Sequence, residues 1–157
     1  RRQLQWCIRD GSYMGRVSPL PTFIILMVGT GDTRRMYEHL TTETPEEFRA
    51  NYRYLVQEYK KLTPKVYCVS VLPGTQSVYE YFYPTAGHLC PNPDIAAWNA
   101  ELKGIAESEG ATWIDEWSTY YDAPNNRLRA EYDMDGLHYN QAGVDLHVRN
   151  VMTHVGS

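Results

Sequence analysis

Thr22–Asp32 reads TFIILMVGTGD. Seven uncharged residues, bounded by Pro21 and Gly29, run directly into a glycine-rich stretch. Their length and branched side chains predict a strand over 22–28, buried on both faces as in a parallel sheet. The GTGDTRR that follows predicts a loop at the strand's carboxyl end. Gly29 and Gly31 leave room there for an anion or oxyanion beside the backbone N–H groups.

Downstream, helix and strand signals alternate. Phe48, Tyr52, Leu55, Val56, Tyr59 and Leu62 recur at helical spacing, which predicts a helix over 45–62. Thr44 is placed to cap it, with Pro45 at the first helical position and Glu47 completing a capping box. KVYCVSVL (65–72) reads as the next strand, and a long loop is expected over 75–92. A second helix is expected over 93–109, capped by Asn92 and ended by Gly110, with Ile95, Trp98, Leu102 and Ile105 on one face. ATWID (111–115) reads as a third strand, and 116–132 as irregular with a turn at 124–126. A final helix over about 141–154 should turn Val144, Val148, Val151, Met152 and Val155 inward. A short strand is also expected at 3–8. This order predicts an α/β fold, a mainly parallel central sheet between two helical layers. Its functional loops should lie at the carboxyl ends of the strands: GTGD, PGTQ and EWST.

The chain has 157 residues, 43% of them hydrophobic and 22% charged, enough for one sizeable core. No repeat, low-complexity tract or linker interrupts it, so residues 1–157 are expected to form a single domain. A net charge of −4 argues against a large nucleic-acid footprint, although a local patch around Arg34, Arg35 and Arg127 stays open. The longest apolar run, about six residues at 23–28, is far short of a membrane span. Three cysteines (Cys7, Cys68 and Cys90) match neither a zinc pattern nor a disulfide framework. Cys68 reads as a buried small hydrophobe. His88 and Cys90, two ligand types without partners, are ordinary loop residues rather than a metal site. Thirteen tyrosines and four tryptophans, several in loop-like stretches, could line a cleft or cover a core edge. The opening Arg1-Arg2-Gln3 has no apolar signal segment behind it, which leaves the compartment unread. Oligomeric state is likewise not written in the sequence.

Near the C-terminus, EYDMDGLHYNQAG spans 131–143. Asp135 and His138, three apart, can meet across a turn that Gly136 permits. A histidine there can take a proton from a hydroxyl nucleophile, and an aspartate can fix its tautomer. The same residues also read as a polar turn, with Asp135 and Asn140 capping the last helix. The preceding GTGD loop favours the first reading.

The ordered set of these stretches resembles the SGNH (GDSL-like) hydrolase superfamily. FIILMVGTGD resembles its third block, a strand ending in Gly-x-Asn-Asp, and DGLHYNQAGVDLHVRNV resembles its fifth, Asp-x-x-His before the closing helix. The segments between look like the family's helices and strands, and the resemblance covers about 21–155. It implies a flavodoxin-like SGNH sandwich and an esterase mechanism without metal or organic cofactor, acting on a small or acetylated ester. Asp135 would be the catalytic acid and His138 the general base. Asp133, five residues from His138, is a rival to Asp135. Gly31 stands where the family has an oxyanion-hole asparagine, ahead of Asp32.

The start departs further. Only about twenty residues precede Phe23, too few for both a serine block and a glycine block. Either LQWCIRDGSYMG is a compressed first block with Ser12 as nucleophile, or it is the second strand and glycine block. In the second case Gly11 gives an oxyanion N–H, and the serine lies upstream of a chain shortened at its N-terminus. The second alignment keeps the family's spacing; the first avoids losing a central strand. A catalytically impaired module binding a partner or RNA is the other functional expectation. The opening W-x-x-R-x-G is also similar to esterase-like domains of retroelement-encoded proteins.

Overall fold

A computed structural model describes residues 19–156. Three strands form a parallel sheet in the order β1–β2–β3: β1 (Ile24–Leu26), β2 (Val66–Val69) and β3 (Thr112–Ile114). Leu26 pairs with Cys68, and Cys68 with Trp113. All of β2 is buried, because alternate residues serve two cores. Val66 and Cys68 join Phe48, Tyr52, Leu55, Ile95 and Leu102 from helices α2 (Pro45–Lys60) and α4 (Asn92–Ser108). Tyr67 and Val69 join Ile114 and Val151, the latter from α6 (Gln141–Val155). The result is the predicted α/β arrangement, a parallel sheet with helices on both faces.

The α2 start follows its local code. Thr44 accepts from Glu47 N, and the Glu47 side chain accepts from Thr44 N, so two orphan donors are satisfied reciprocally.

Several expectations need correction. β1 is shorter than predicted and is not buried on both faces: Ile25 and Met27 are exposed. It is an edge strand of the described sheet: Leu26 joins the α2–α4 core, while on the other face only Phe23 reaches the cluster around Val151. The GTGD stretch is not a loop. Gly29, at φ +107°, turns the chain, and α1 (Thr30–Tyr37) starts immediately after it. A Cβ at Gly29 would stand 3.2 Å from Val71 Cγ2 and 3.3 Å from Phe48 Cζ. The expected long loop holds a further helix, α3 (Gln76–Phe82), and 116–132 holds α5 (Trp117–Tyr120) and the hairpin β4 (Tyr121–Asp122) to β5 (Arg127–Leu128). Of the α6 residues expected inward, Val151 is fully buried and Val155 half-buried. Val144, Val148 and Met152 are exposed, because the ridge His147–Val151–Val155 faces the sheet instead. The strand expected at 3–8 lies outside the described residues.

Where β2 leaves the sheet, side chains take over its backbone pairing. Asn99 accepts from Val71 N at 2.7 Å and donates to Val71 O at 2.9 Å. Asn92, predicted as a cap, does the same for Gly74, at 2.9 and 2.8 Å. Both are buried on α4, and they satisfy backbone groups that would otherwise be orphaned. Arg34 ties α1 to the same exit through Thr30 O and Leu72 O, each at 2.9 Å. The ends of β1 and β2 are thereby held side by side.

Candidate active site

The loop before α6 is built around Asp133 and Gly136. Asp133 Oδ1 accepts from Gly136 N, and its Oδ2 accepts from Thr75 Oγ1 at 3.2 Å and from Arg127 at 3.4 Å. Gly136 O accepts from Thr75 N at 2.7 Å. Gly136 has φ +94°, a conformation that glycine adopts without steric cost. Asp133 is therefore the anchor of the turn, and nothing ties it to the His138 ring.

Asp135 faces that ring. Its Oδ2 lies 2.7 Å from His138 Nδ1, while its Oδ1 accepts from His138 N at 2.9 Å and Leu137 N at 3.0 Å. The backbone N–H of His138, then its ring and the Leu137 N–H, hold the Asp135 carboxyl below the usual 3.8. With Nδ1 engaged, Nε2 is the nitrogen free for proton transfer, and the His138 side chain is 66% exposed. Capping of α6 falls to Asn140 alone, whose Oδ1 accepts from Gly143 N at 3.0 Å.

A cavity of about 610 Å³ opens beside His138. Its wall includes Met27 at the end of β1, Gly31 in the first turn of α1, Leu72 after β2, and Val78 and Phe82 on α3. The volume suits a small organic ligand. The first turn of α1 contributes N–H groups that the helix itself leaves without intrahelical partners. Burial, then Glu43, raises the Asp32 carboxyl above its usual value. Asp32 is not among the residues lining this cavity.

The carboxyl ends of the strands do meet here, and they bring a second histidine. Glu116, two residues past the end of β3, is fully buried. Both its oxygens lie 2.8 Å from His147 Nδ1, and Tyr139 Oη donates to Oε2 at 2.6 Å. The Glu116 hydrogen bond raises the His147 imidazole above 6.5, against opposing desolvation. His147 also lines the cavity.

Ser12 and Gly11 lie outside the described residues. Among the described residues no serine hydroxyl bonds to His138, and no group of three acidic, histidine or cysteine side chains could hold a metal. His88 pairs with Glu38 at 3.1 Å, and Cys90 is buried against Asn92. Of the three arginines that left a basic patch open, Arg34 is 5% exposed and Arg127 pairs with Asp133.

The sequence profile of the GDSL-like lipase/acylhydrolase family matches residues 7–146, almost the whole chain. The chain belongs to this family. Solved structures share its fold. A GDSL-like lipase from Bacteroides thetaiotaomicron superimposes with a TM-score of 0.75 at 19% identity, over 97% of this chain and 69% of that one. A catalytic mutant of an acetylxylan esterase from Geobacillus stearothermophilus gives 0.66 at 17% identity, over 96% and 68%. Catalytic mutants of that esterase replace a serine, an aspartate and a histidine, the last two three residues apart. No curated protein matches the chain. No described helix is long and apolar enough to cross a membrane.

Two features of this GDSL-like site escaped the sequence. Glu116 and His147 are 31 residues apart and share no motif. The available signal was position: Glu116 follows an apolar strand at the rim where the functional loops gather. Arg34 carried no signal, since nothing local separates a buried arginine from a solvated one.

Proposed function

We propose that the chain is an esterase-type hydrolase acting by acyl transfer, with His138 as general base and Asp135 as the carboxylate that orients it. The observation that carries this is the 2.7 Å bond from Asp135 to His138 Nδ1 beside a ligand-sized cavity. His138 Nε2 would take the proton of a serine hydroxyl as its oxygen attacks the ester carbonyl. Backbone N–H groups near Gly31 would hold the oxyanion, joined by Gly11 N–H in the alignment that puts the serine upstream. The proton would pass to the leaving alkoxide, and water would then release the acid from the acyl-serine by the same route. Neither metal nor organic cofactor is called for. Ser12 is the nucleophile to test first. The same aspartate-to-histidine spacing in the Geobacillus esterase supports the roles given to Asp135 and His138, and an acetylated or short-chain ester is the substrate class.

The test is hydrolysis of p-nitrophenyl acetate by the parent chain, His138→Ala and Ser12→Ala. Each variant should lose about 10²-fold or more in kcat/KM. Equal rates in all three would overturn the reading.

Gly31 favours a second reading, a family member impaired in catalysis. An asparagine donor missing from the oxyanion hole costs about 3 kcal/mol of transition-state stabilisation. Salt-sensitive retention of RNA on a filter, without esterase activity, would mark that module.

A further inference from the structure

The cavity wall carries three basic side chains. Arg34, His138 and His147 line it, and no aspartate or glutamate does among the described residues. The rest is largely apolar, with Met27, Leu72, Val78 and Phe82.

Arg34 is 5% exposed, and its two hydrogen bonds go to backbone carbonyls, Thr30 O and Leu72 O. No carboxylate pairs with it among the described residues. A guanidinium does not shed its proton in a protein, and a buried charge without a counter-charge is costly. A bound anion in this cavity would offset that cost. His147 supplies a second donor. Glu116 engages only its Nδ1, and Tyr139 secures Glu116 from another side, so the ring is held with Nε2 left for a ligand. Glu116 itself is fully buried and does not line the cavity.

We propose that Arg34 and His147 form an anion subsite in this cavity, so that the preferred ester carries a carboxylate or phosphate group on an apolar stem. The inference rests on the esterase reading for the word ester, while the subsite can be tested without turnover. An anion on a short hydrocarbon stem matches both the basic groups and the apolar wall.

Hexanoate and hexyl phosphate are titrated into the chain, with hexanamide as the neutral control, while the ring signals of His147 are followed by NMR. Saturable shifts with either anion, at about tenfold or greater affinity over hexanamide, are expected. Which anion binds more tightly distinguishes carboxylate from phosphate. His147→Gln keeps a hydrogen-bond donor for Glu116 and removes the charge, and Arg34→Lys removes the planar fork. Each should weaken anion binding about fivefold or more while the near-UV spectrum is kept. Equal affinity for hexanoate and hexanamide, no binding of either anion, or unchanged affinity in folded His147→Gln would each overturn the subsite. In turnover, mono-p-nitrophenyl glutarate should exceed p-nitrophenyl acetate in kcat/KM, by a ratio that falls in His147→Gln. Absence of turnover with both esters would count against the esterase reading and leave the binding result to decide the subsite.

Discussion

Asp135 holds His138 twice, once at the ring through Nδ1 at 2.7 Å and once at the backbone through N at 2.9 Å. One carboxylate therefore sets both where the imidazole starts and which way it faces. The two roles can be separated by substitution. In Asp135→Asn the amide oxygen can still accept the backbone N–H, so the turn is kept. The second position is then the amide NH2, which can only donate to Nδ1 and so puts the ring proton on Nε2, and imidazolium formation loses its counter-charge. Ester hydrolysis should fall by about 10²-fold or more with little change in thermal midpoint. A variant hydrolysing p-nitrophenyl acetate at the parent rate would remove Asp135 from the mechanism.

The turn that carries this pair depends on Gly136. At φ +94°, a Cβ there would stand 3.0 Å from Val78 Cβ and 3.2 Å from Thr75 Cβ. Gly136→Ala therefore meets both backbone strain and a clash with the start of α3, at a cost of about 1–3 kcal/mol. Gly87 is the control: it too has positive φ, +68°, but a Cβ there meets nothing within 4 Å. Gly87→Ala should cost about 1 kcal/mol, the backbone part alone. Urea unfolding of the two variants checks this, and equal losses would show that the Val78 and Thr75 contacts relax freely.

Features coded locally were the legible ones. The capping box at Thr44 and Glu47 needs four consecutive residues, and it formed as read. The stripe from Phe48 to Tyr59 found the core because its period alone selects a face. The pair of Asp135 and His138 was legible for the same reason, three residues across a turn. Helix α3 was not, since in QSVYEYF the aromatics hide any polar face and resemble cleft-lining loop residues. The outward face of α6 was not legible either. Val144, Val148 and Val151 look alike in sequence, and the rotation of α6 is set by its contacts with Glu116 and the sheet. Such long-range contacts leave no periodic trace in the chain.

The Glu116–His147 pair has a pH signature of definite sign. Glu116 raises the His147 imidazole above 6.5. A group whose value is raised on folding contributes stability that is fully present below its unfolded value and is lost as pH rises through the folded one. The pair should therefore stabilise the chain most in weakly acidic solution, below 6.5, and progressively less as His147 deprotonates at its raised value. Glu116→Gln removes the charge that holds the proton and leaves the desolvation that opposes it. His147 in that variant should titrate at or below 6.5, and the stability gap between parent and variant should narrow as pH rises through the parent's His147 midpoint. Ring NMR titration gives the first quantity, and urea unfolding at several pH values gives the second. An unchanged His147 midpoint in Glu116→Gln would mean that the imidazolium is stabilised by some other group. A gap that widened with rising pH would mean that His147 enters the folded state neutral.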